Sequence, residues 1–269
     1  YSVEPACASG GVAINLAHQA LSSGMYKNVL VLGVEKMTDS STSDVTLGLM
    51  GAASEEERKA GLTYPGLYAL IANAHMQAFK TTKKQLSSVA VKNHYNGSLN
   101  PIAQYQSQIT LEKAMQSQEV ASPLNLFDCS PITDGAAAVV LSADQNNTTK
   151  VTITASELAT DHVALSKRKS QTELKATIIA AQNAYIKAGI DPKDINLAEL
   201  HDCFTIAEIL ALEDLGFCQK GQGGRLSESG QTALTGKIPT NTSGGLKACG
   251  HPVGARKAFT RSFQGPTFG

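Results

Sequence analysis

At 269 residues, with 42% hydrophobic and 17% charged residues, the chain has the make-up of an ordinary globular protein that can bury one large core or two moderate ones. Its 23 Lys and Arg balance 23 Asp and Glu, which removes any electrostatic case for nucleic acid or an anionic membrane surface as partner. No apolar run approaches the roughly 20 residues that a bilayer span requires.

The opening YSVEP reads as the end of a strand and not as a natural N-terminus, so the lack of a leader segment says nothing about location. It runs into ACASGG, where small residues surround Cys7 and let the backbone turn tightly. From Ala8 to about Ser23 the apolar spacing, with Val12, Leu16 and Leu21, predicts a helix. Cys7 therefore stands at a helix N-terminus, where unpaired N–H groups and the positive end of the dipole favour a thiolate. Taken alone, the same cysteine suits a small buried residue at a strand-to-helix turn.

Asn28 to Met37 reads as a buried strand. From Asp39 to about Pro123 the chain changes to Ser/Thr/Gly-rich loops and helices, one of them opening on a Thr82 to Gln85 capping box, and this stretch reads as an insertion on a sheet core. Strands follow at Ala136 to Asp144 and, after a polar turn, at Val151 to Ala159. A helix from about Thr172 ends at Ala188 before Gly189, and INLAEL reads as a further strand. Alternating helices and buried strands in both halves predict an α/β fold with a mixed or parallel sheet.

Five cysteines at 7, 129, 203, 218 and 249 follow no secreted-domain framework, which points to a reducing, cytoplasmic setting. Two further stretches are dense in reactive groups: HDCF, His201 to Phe204, and GHPVGA, Gly250 to Ala255. Both fall at apparent strand ends or tight loops, where α/β folds place their sites. Each has a plain structural explanation by itself: a hydrogen-bonded histidine, a packed cysteine, a rigid turn. A zinc site from Cys203, Cys218, Cys249 and His251 lacks any C-x-x-C pair, and its spacing fits no common structural site.

In that order, ACASG, HDCFT and GGLKACGHPVGA resemble the thiolase family, and within it the archaeal-type acetyl-CoA acetyltransferases and sterol-carrier-protein-type thiolases that carry His-Asp-Cys-Phe. GVEKMTD, AVKNHYNGSLNP, DCSPITDGAAAVVL and AEILALEDLGF are in the same style, so the likeness covers residues 1 to about 255. The resemblance implies two βαβαβαββ halves about a pseudo-dyad, with a loop domain near 40–124, a first half over 1–149 and a second over 150–269. It also implies that the N-terminal part of the family's core is incomplete here and that the chain is truncated or divergent after about Ala255.

On this likeness Cys7 matches the nucleophile and His251 the histidine that activates it. Cys203 matches the acid/base thiol, His201 supplies an oxyanion donor, and Ser130 aligns with a serine that contacts the pantetheine arm. Cys129, Cys218 and Cys249 receive no role. Carbon–carbon bond formation between thioesters needs such a set: an acyl carrier, a base for the α-proton, and donors for the enolate. The implied reaction is Claisen condensation of acetyl-CoA to acetoacetyl-CoA, or the reverse thiolysis, with coenzyme A thioesters as substrates and no metal or other cofactor. Implied partners are a second copy, as homodimer or tetramer, and a downstream CoA-condensing enzyme, with no nucleic acid and no membrane.

Two rivals accompany this reading. A decarboxylating ketoacyl synthase would also be satisfied by Cys7, His201 and His251, but has no need of Cys203. A catalytically impaired fragment acting as a scaffold would fit the RKAFTRSFQGPTFG ending, which differs from the glycine-rich strand that the family usually places there.

Overall fold

The computed structural model describes residues 1–144 and 151–255. A short 3-10 turn at Ala6–Ala8 leads into α1 (Ser9–Ser22), and α1 returns through Gly24 to β1 (Asn28–Glu35). Helices α2 (Thr42–Leu49), α3 (Glu55–Lys59), α4 (Tyr64–Phe79), α5 (Lys83–Ser98) and α6 (Leu111–Met115) follow. The chain then makes β2 (Glu119–Ala121), β3 (Leu124–Asn125) and β4 (Gly135–Ser142). Beyond it lie α7 (Lys175–Ala188), α8 (Thr205–Asp214), α9 (Gly223–Glu228) and α10 (Gly245–Cys249).

Local chemistry accounts for several of these boundaries. Thr82 accepts the Gln85 N–H at 3.2 Å while Gln85 Oε1 accepts the Thr82 N–H at 3.1 Å, the reciprocal box that starts α5. Gly189 takes a left-handed conformation, φ 69°, and closes α7 one residue after Ala188. The helix read from Thr172 begins instead at Lys175.

The sheet differs from expectation in three ways. Both ladders are antiparallel: β1 pairs with β4 from Asn28↔Ser142 to Glu35↔Gly135, and β2 pairs with β3. β1 is also not buried on both faces, because α1 covers one side only. Val31 points into a small cluster with Ile14, Ala17 and Ala137, whereas Leu30, Leu32, Val34 and Val140 are each more than 60% exposed. Third, among the described residues no strand lies between 151 and 255. Val151 to Ala159 has no ladder: the Ser156 carbonyl accepts from the Asn15 side chain at 2.6 Å, and Ile153 packs on the α1 cluster. INLAEL contributes a single bridge, Ala198 to Thr240. A β-prone sequence becomes a strand only where a neighbour offers its backbone.

The larger core lies among α4, α5 and α8. All ten residues of α8 are buried, and Ile206, Ile209 and Leu210 pack with Leu67, Ile71, Leu86 and Val89. No described helix is long and apolar enough to cross a membrane. The proposed junction of two halves near 149/150 and the ending after Ala255 lie outside the described residues.

Candidate active site

Cys7 sits half-buried in the 3-10 turn that feeds α1. Ala6, just before it, holds φ 49°, a conformation that a residue with a Cβ adopts at a cost. The Ser9 hydroxyl donates to the Ala6 carbonyl at 2.6 Å and fixes that turn. The N-cap of α1 is Ala8, which has no side-chain acceptor, so the positive end of a 14-residue helix stands beside the cysteine without a side-chain cap. Gly254, φ 78°, packs against the same turn, and a Cβ there would lie 3.1 Å from Ser9 Cβ and 3.3 Å from the Ala6 carbonyl.

Residues 129–133 stitch the two other reactive stretches together. Cys129 bridges Phe204 in antiparallel fashion, and the Ser130 N–H donates to the Cys203 carbonyl at 2.9 Å. Ile132 bridges His251 in parallel, and the His251 N–H donates to Thr133 Oγ1 at 2.9 Å. One extended segment thus holds HDCF on one side and GHP on the other. Ser130 Oγ lies 3.3 Å from His251 Nδ1, so this serine also touches the imidazole.

The outcome is a compact trio. One ligand-type atom from each of Cys7, His201 and His251 lies within 4.8 Å of the others, and the two imidazole centroids are 5.2 Å apart with their planes at 78°. A thiol and two imidazoles could hold a zinc-like cation, and the same groups suit acyl transfer. This trio does not include Cys203, Cys218 or Cys249, so the four-residue set considered from sequence is not the metal-capable group formed here.

Cys203 lies beside the trio, close enough to feel the charge of Cys7. It is buried, and burial pushes its thiol well up. Tyr64 and Tyr68, one turn apart on α4, face this region. The Tyr68 ring stacks on Phe204, the residue after Cys203, with centroids 4.5 Å apart.

Beneath HDCF, the fully buried Asp202 binds the stretch that leads into His251. Its Oδ1 accepts from Leu246 N–H at 2.6 Å, and its Oδ2 accepts from Lys247 N–H at 3.2 Å and Asn93 Nδ2 at 2.7 Å. The two backbone donors open α10, which ends at Cys249 just before Gly250 and His251. Gly245, φ 62°, is required here, since a Cβ would collide with the Asp202 carboxylate. Asn93 also donates to Glu208 at 2.9 Å, Asn241 Nδ2 donates to Glu208 at 2.7 Å, and Lys92 pairs with Glu208 at 2.9 Å. Asn241 Oδ1 in turn accepts the Leu200 N–H at 2.7 Å, next to His201. Burial and the Glu208 charge raise Asp202 to about 7, against the lowering effect of its backbone donors and Lys92.

The structure therefore brings Cys7, His201 and His251 together, with Ser130 on His251 and Cys203 adjoining. Tyr64, Tyr68 and Asp202 were not singled out from sequence. The i, i+4 tyrosines of YPGLY were the available signal for the first two, since that spacing puts them on one helix face. The remaining cysteines turn elsewhere. The Cys129 thiol, pushed up to about 12 by burial and then by Asp128, donates to the Asn125 carbonyl at 3.5 Å. Cys218 is likewise pushed up to about 12, and Cys249 Sγ accepts from Asn100 Nδ2 at 3.6 Å.

A cysteine at a helix start, facing two histidines with a second thiol nearby, is a set of groups that suits acyl transfer through a thioester on protein. Comparison with known proteins gives the family. The profile described as "Thiolase, N-terminal domain" matches residues 1–145, and that described as "Thiolase C-terminal domain-like" matches residues 158–260. The chain belongs to the thiolase family, with an α/β thiolase-like fold.

It is 49% identical over 258 residues to the acetyl-CoA acetyltransferase of Methanothermobacter thermautotrophicus, covering 94% of this chain and 67% of the relative. It is 34% identical over 266 residues to sterol carrier protein 2 of Homo sapiens, covering 93% of this chain and 49% of the relative. The chain thus spans about two thirds of the length of the archaeal relative and about half of the human one. Among solved structures, the Ltp2-ChsH2(DUF35) aldolase superposes with TM-score 0.79 at 24% identity, over 92% of this chain and 66% of that one. The dimeric peroxisomal thiolase of Saccharomyces cerevisiae superposes with TM-score 0.63 at 16% identity, over 95% and 67%.

Proposed function

We propose that this site performs acetyl-CoA C-acetyl transfer, condensing two acetyl-CoA to acetoacetyl-CoA or running the reverse thiolysis, with Cys7 as acyl carrier. The observation that carries the reading is the mutual approach of Cys7, His201 and His251 within 4.8 Å at the start of α1. The names of the archaeal relatives support the same activity.

In the first half-reaction Cys7 gives its proton to His251 and its thiolate attacks the acetyl-CoA carbonyl; the carbon–sulfur bond to CoA breaks, and CoA leaves with the proton of Cys203, which is left as thiolate. In the second, the Cys203 thiolate takes a proton from the α-carbon of another acetyl-CoA. The resulting enolate attacks the acetyl-Cys7 carbonyl, the bond to Cys7 breaks, acetoacetyl-CoA forms, and the Cys7 sulfur recovers its proton from His251. His201 and His251 supply donors where negative charge gathers on oxygen. Ser130 steadies His251 and contacts the pantetheine arm. The decarboxylating alternative uses the trio but leaves the neighbouring Cys203 thiol without a task, so the second thiol favours condensation by proton abstraction.

Substrates are acyl-CoA thioesters, and the site works without a bound metal. Assembly as a dimer or tetramer has the dimeric yeast thiolase as its analogue, and a downstream CoA-condensing enzyme is the further partner. The thiols of Cys129, Cys203 and Cys218, outside any disulfide, suit a reducing cytoplasm.

The test is acylation. After brief exposure to labelled acetyl-CoA and acid quench, peptide mapping places the acetyl group on Cys7, and Cys7→Ser carries none. Label on another cysteine, with Cys7→Ser still acetylated, overturns the assignment.

A further inference from the structure

The three side chains gathered at the start of α1 are a ligand set as well as a reactive one. Cys7, His201 and His251 each bring one ligand-type atom within 4.8 Å of the other two, and all three are half-buried, so an ion in solvent can reach them. A tetrahedral zinc ion, with Zn–S of about 2.3 Å and Zn–N of about 2.0–2.1 Å, spaces its ligand atoms about 3.3–3.6 Å apart, so the trio has to close by no more than about 1.5 Å. The imidazoles are already spaced for it. Two rings on one such ion stand with their centroids about 5 Å apart. Here the centroids are 5.2 Å apart, with planes at 78°, crossed and not stacked.

Each ligand is held by its own hydrogen bonds. Ser130 Oγ, 3.3 Å from His251 Nδ1, is an outer partner of the kind that orients metal-bound imidazoles, and Thr133 Oγ1 accepts the His251 N–H at 2.9 Å. His201 lies between Leu200, whose N–H is held by Asn241 Oδ1 at 2.7 Å, and Asp202, whose carboxylate accepts the Leu246 and Lys247 N–H groups. Cys7 sits in the turn pinned by the bond from Ser9 Oγ to the Ala6 carbonyl. Three ligands fixed in this way need little further ordering to bind an ion. One thiolate with two imidazoles selects a borderline ion such as Zn²⁺ over Mg²⁺ or Ca²⁺, which take oxygen ligands. Three protein ligands leave a fourth position for water or a thiol.

We propose that Cys7, His201 and His251 form an inhibitory zinc site: a Zn²⁺ ion taken up from solution binds the three side chains together and withholds the Cys7 sulfur from acyl-CoA. The Cys7 thiol releases its proton to solvent as the S–Zn bond forms, and no electrons are exchanged. The inhibition rests on the reading of Cys7 as acyl carrier, whereas the coordination does not.

Cobalt(II) in place of zinc gives a readout without turnover. Added to the metal-free chain, one equivalent produces a thiolate-to-cobalt charge-transfer band and the d–d bands of a tetrahedral ion, and Zn²⁺ abolishes both. Cys7→Ser removes the charge-transfer band, His251→Ala weakens cobalt binding more than about 100-fold, beyond the loss of an outer partner, and Cys203→Ala keeps the spectrum. Wild-type chain alkylated at Cys7 with iodoacetamide loses the charge-transfer band as well, with no substitution to disturb folding. In the acetylation assay, Zn²⁺ at about 100 times its dissociation constant leaves about 1% of sites open, so labelling of Cys7 slows about 100-fold. A chelator restores it, and millimolar Mg²⁺ has no effect.

No tetrahedral spectrum in the wild type, or a charge-transfer band that survives in Cys7→Ser, overturns the site. Cobalt bound through the trio while zinc leaves acetylation unchanged overturns the inhibition. If the metal-free chain never acetylates Cys7 but the spectrum depends on Cys7 and His251, the acyl-carrier reading fails and the coordination stands.

Discussion

The two thiols live in opposite surroundings. Cys7 is half-buried in a turn beside a helix start, on a region whose small core is Ile14, Ala17, Val31 and Ala137 and whose sheet keeps an exposed outer face. Cys203 is buried in the large cluster of α4, α5 and α8. The difference matches the two roles proposed for them. A sulfur that exchanges acyl groups with CoA needs access and a field that favours negative charge. A sulfur that moves a proton at carbon needs a fixed position and exclusion of water, at the expense of a raised pKa. The 129–133 segment joins the regions, touching Cys203 through Ser130 N–H and His251 through Thr133.

This contrast is exposed to stability measurements. Leu210→Ala, in the fully buried part of α8, should cost about 2–5 kcal/mol in denaturant unfolding, the range for deleting a packed leucine. Leu30→Ala on the outer face of β1 should stay within about 0.5 kcal/mol of wild type. Equal losses would mean that the β1/β4 face is covered in solution and that the two regions do not differ as described.

The link between the loops should sharpen the picture through pH. Asp202 rises from an ordinary 3.8 to about 7 in the folded chain. Between those values the folded state holds a proton that the unfolded state has lost, so this group's contribution to stability falls as pH rises from about 4 to about 7. Asp202→Asn should flatten that part of the Tm–pH curve, and calorimetry across the interval checks it. Parallel curves for wild type and variant would remove Asp202 from the account.

Much of the first region was legible in the sequence because its signals are local. The helix after Cys7, the Thr82–Gln85 box and the Gly189 stop depend on residues a few positions apart, and the β1 and β4 runs were placed within two residues of their observed ends. The candidate site residues stood out through side-chain type and motif. Long-range partnership was not legible. Val151–Ala159 has strand composition but no ladder among the described residues, and β1 gave no sign that one face would stay exposed. Asp202 gains its meaning only when α10 is brought against HDCF, a contact spanning 44 residues in sequence.

The central claim is a division of labour between two thiols, and rapid-quench mass spectrometry of Cys203→Ala with acetyl-CoA tests it most directly. The account predicts about one acetyl group per active site on Cys7, an equal burst of free CoA, and no acetoacetyl-CoA above background. Acetoacetyl-CoA at the wild-type rate, or failure of Cys7 to acetylate, would contradict it.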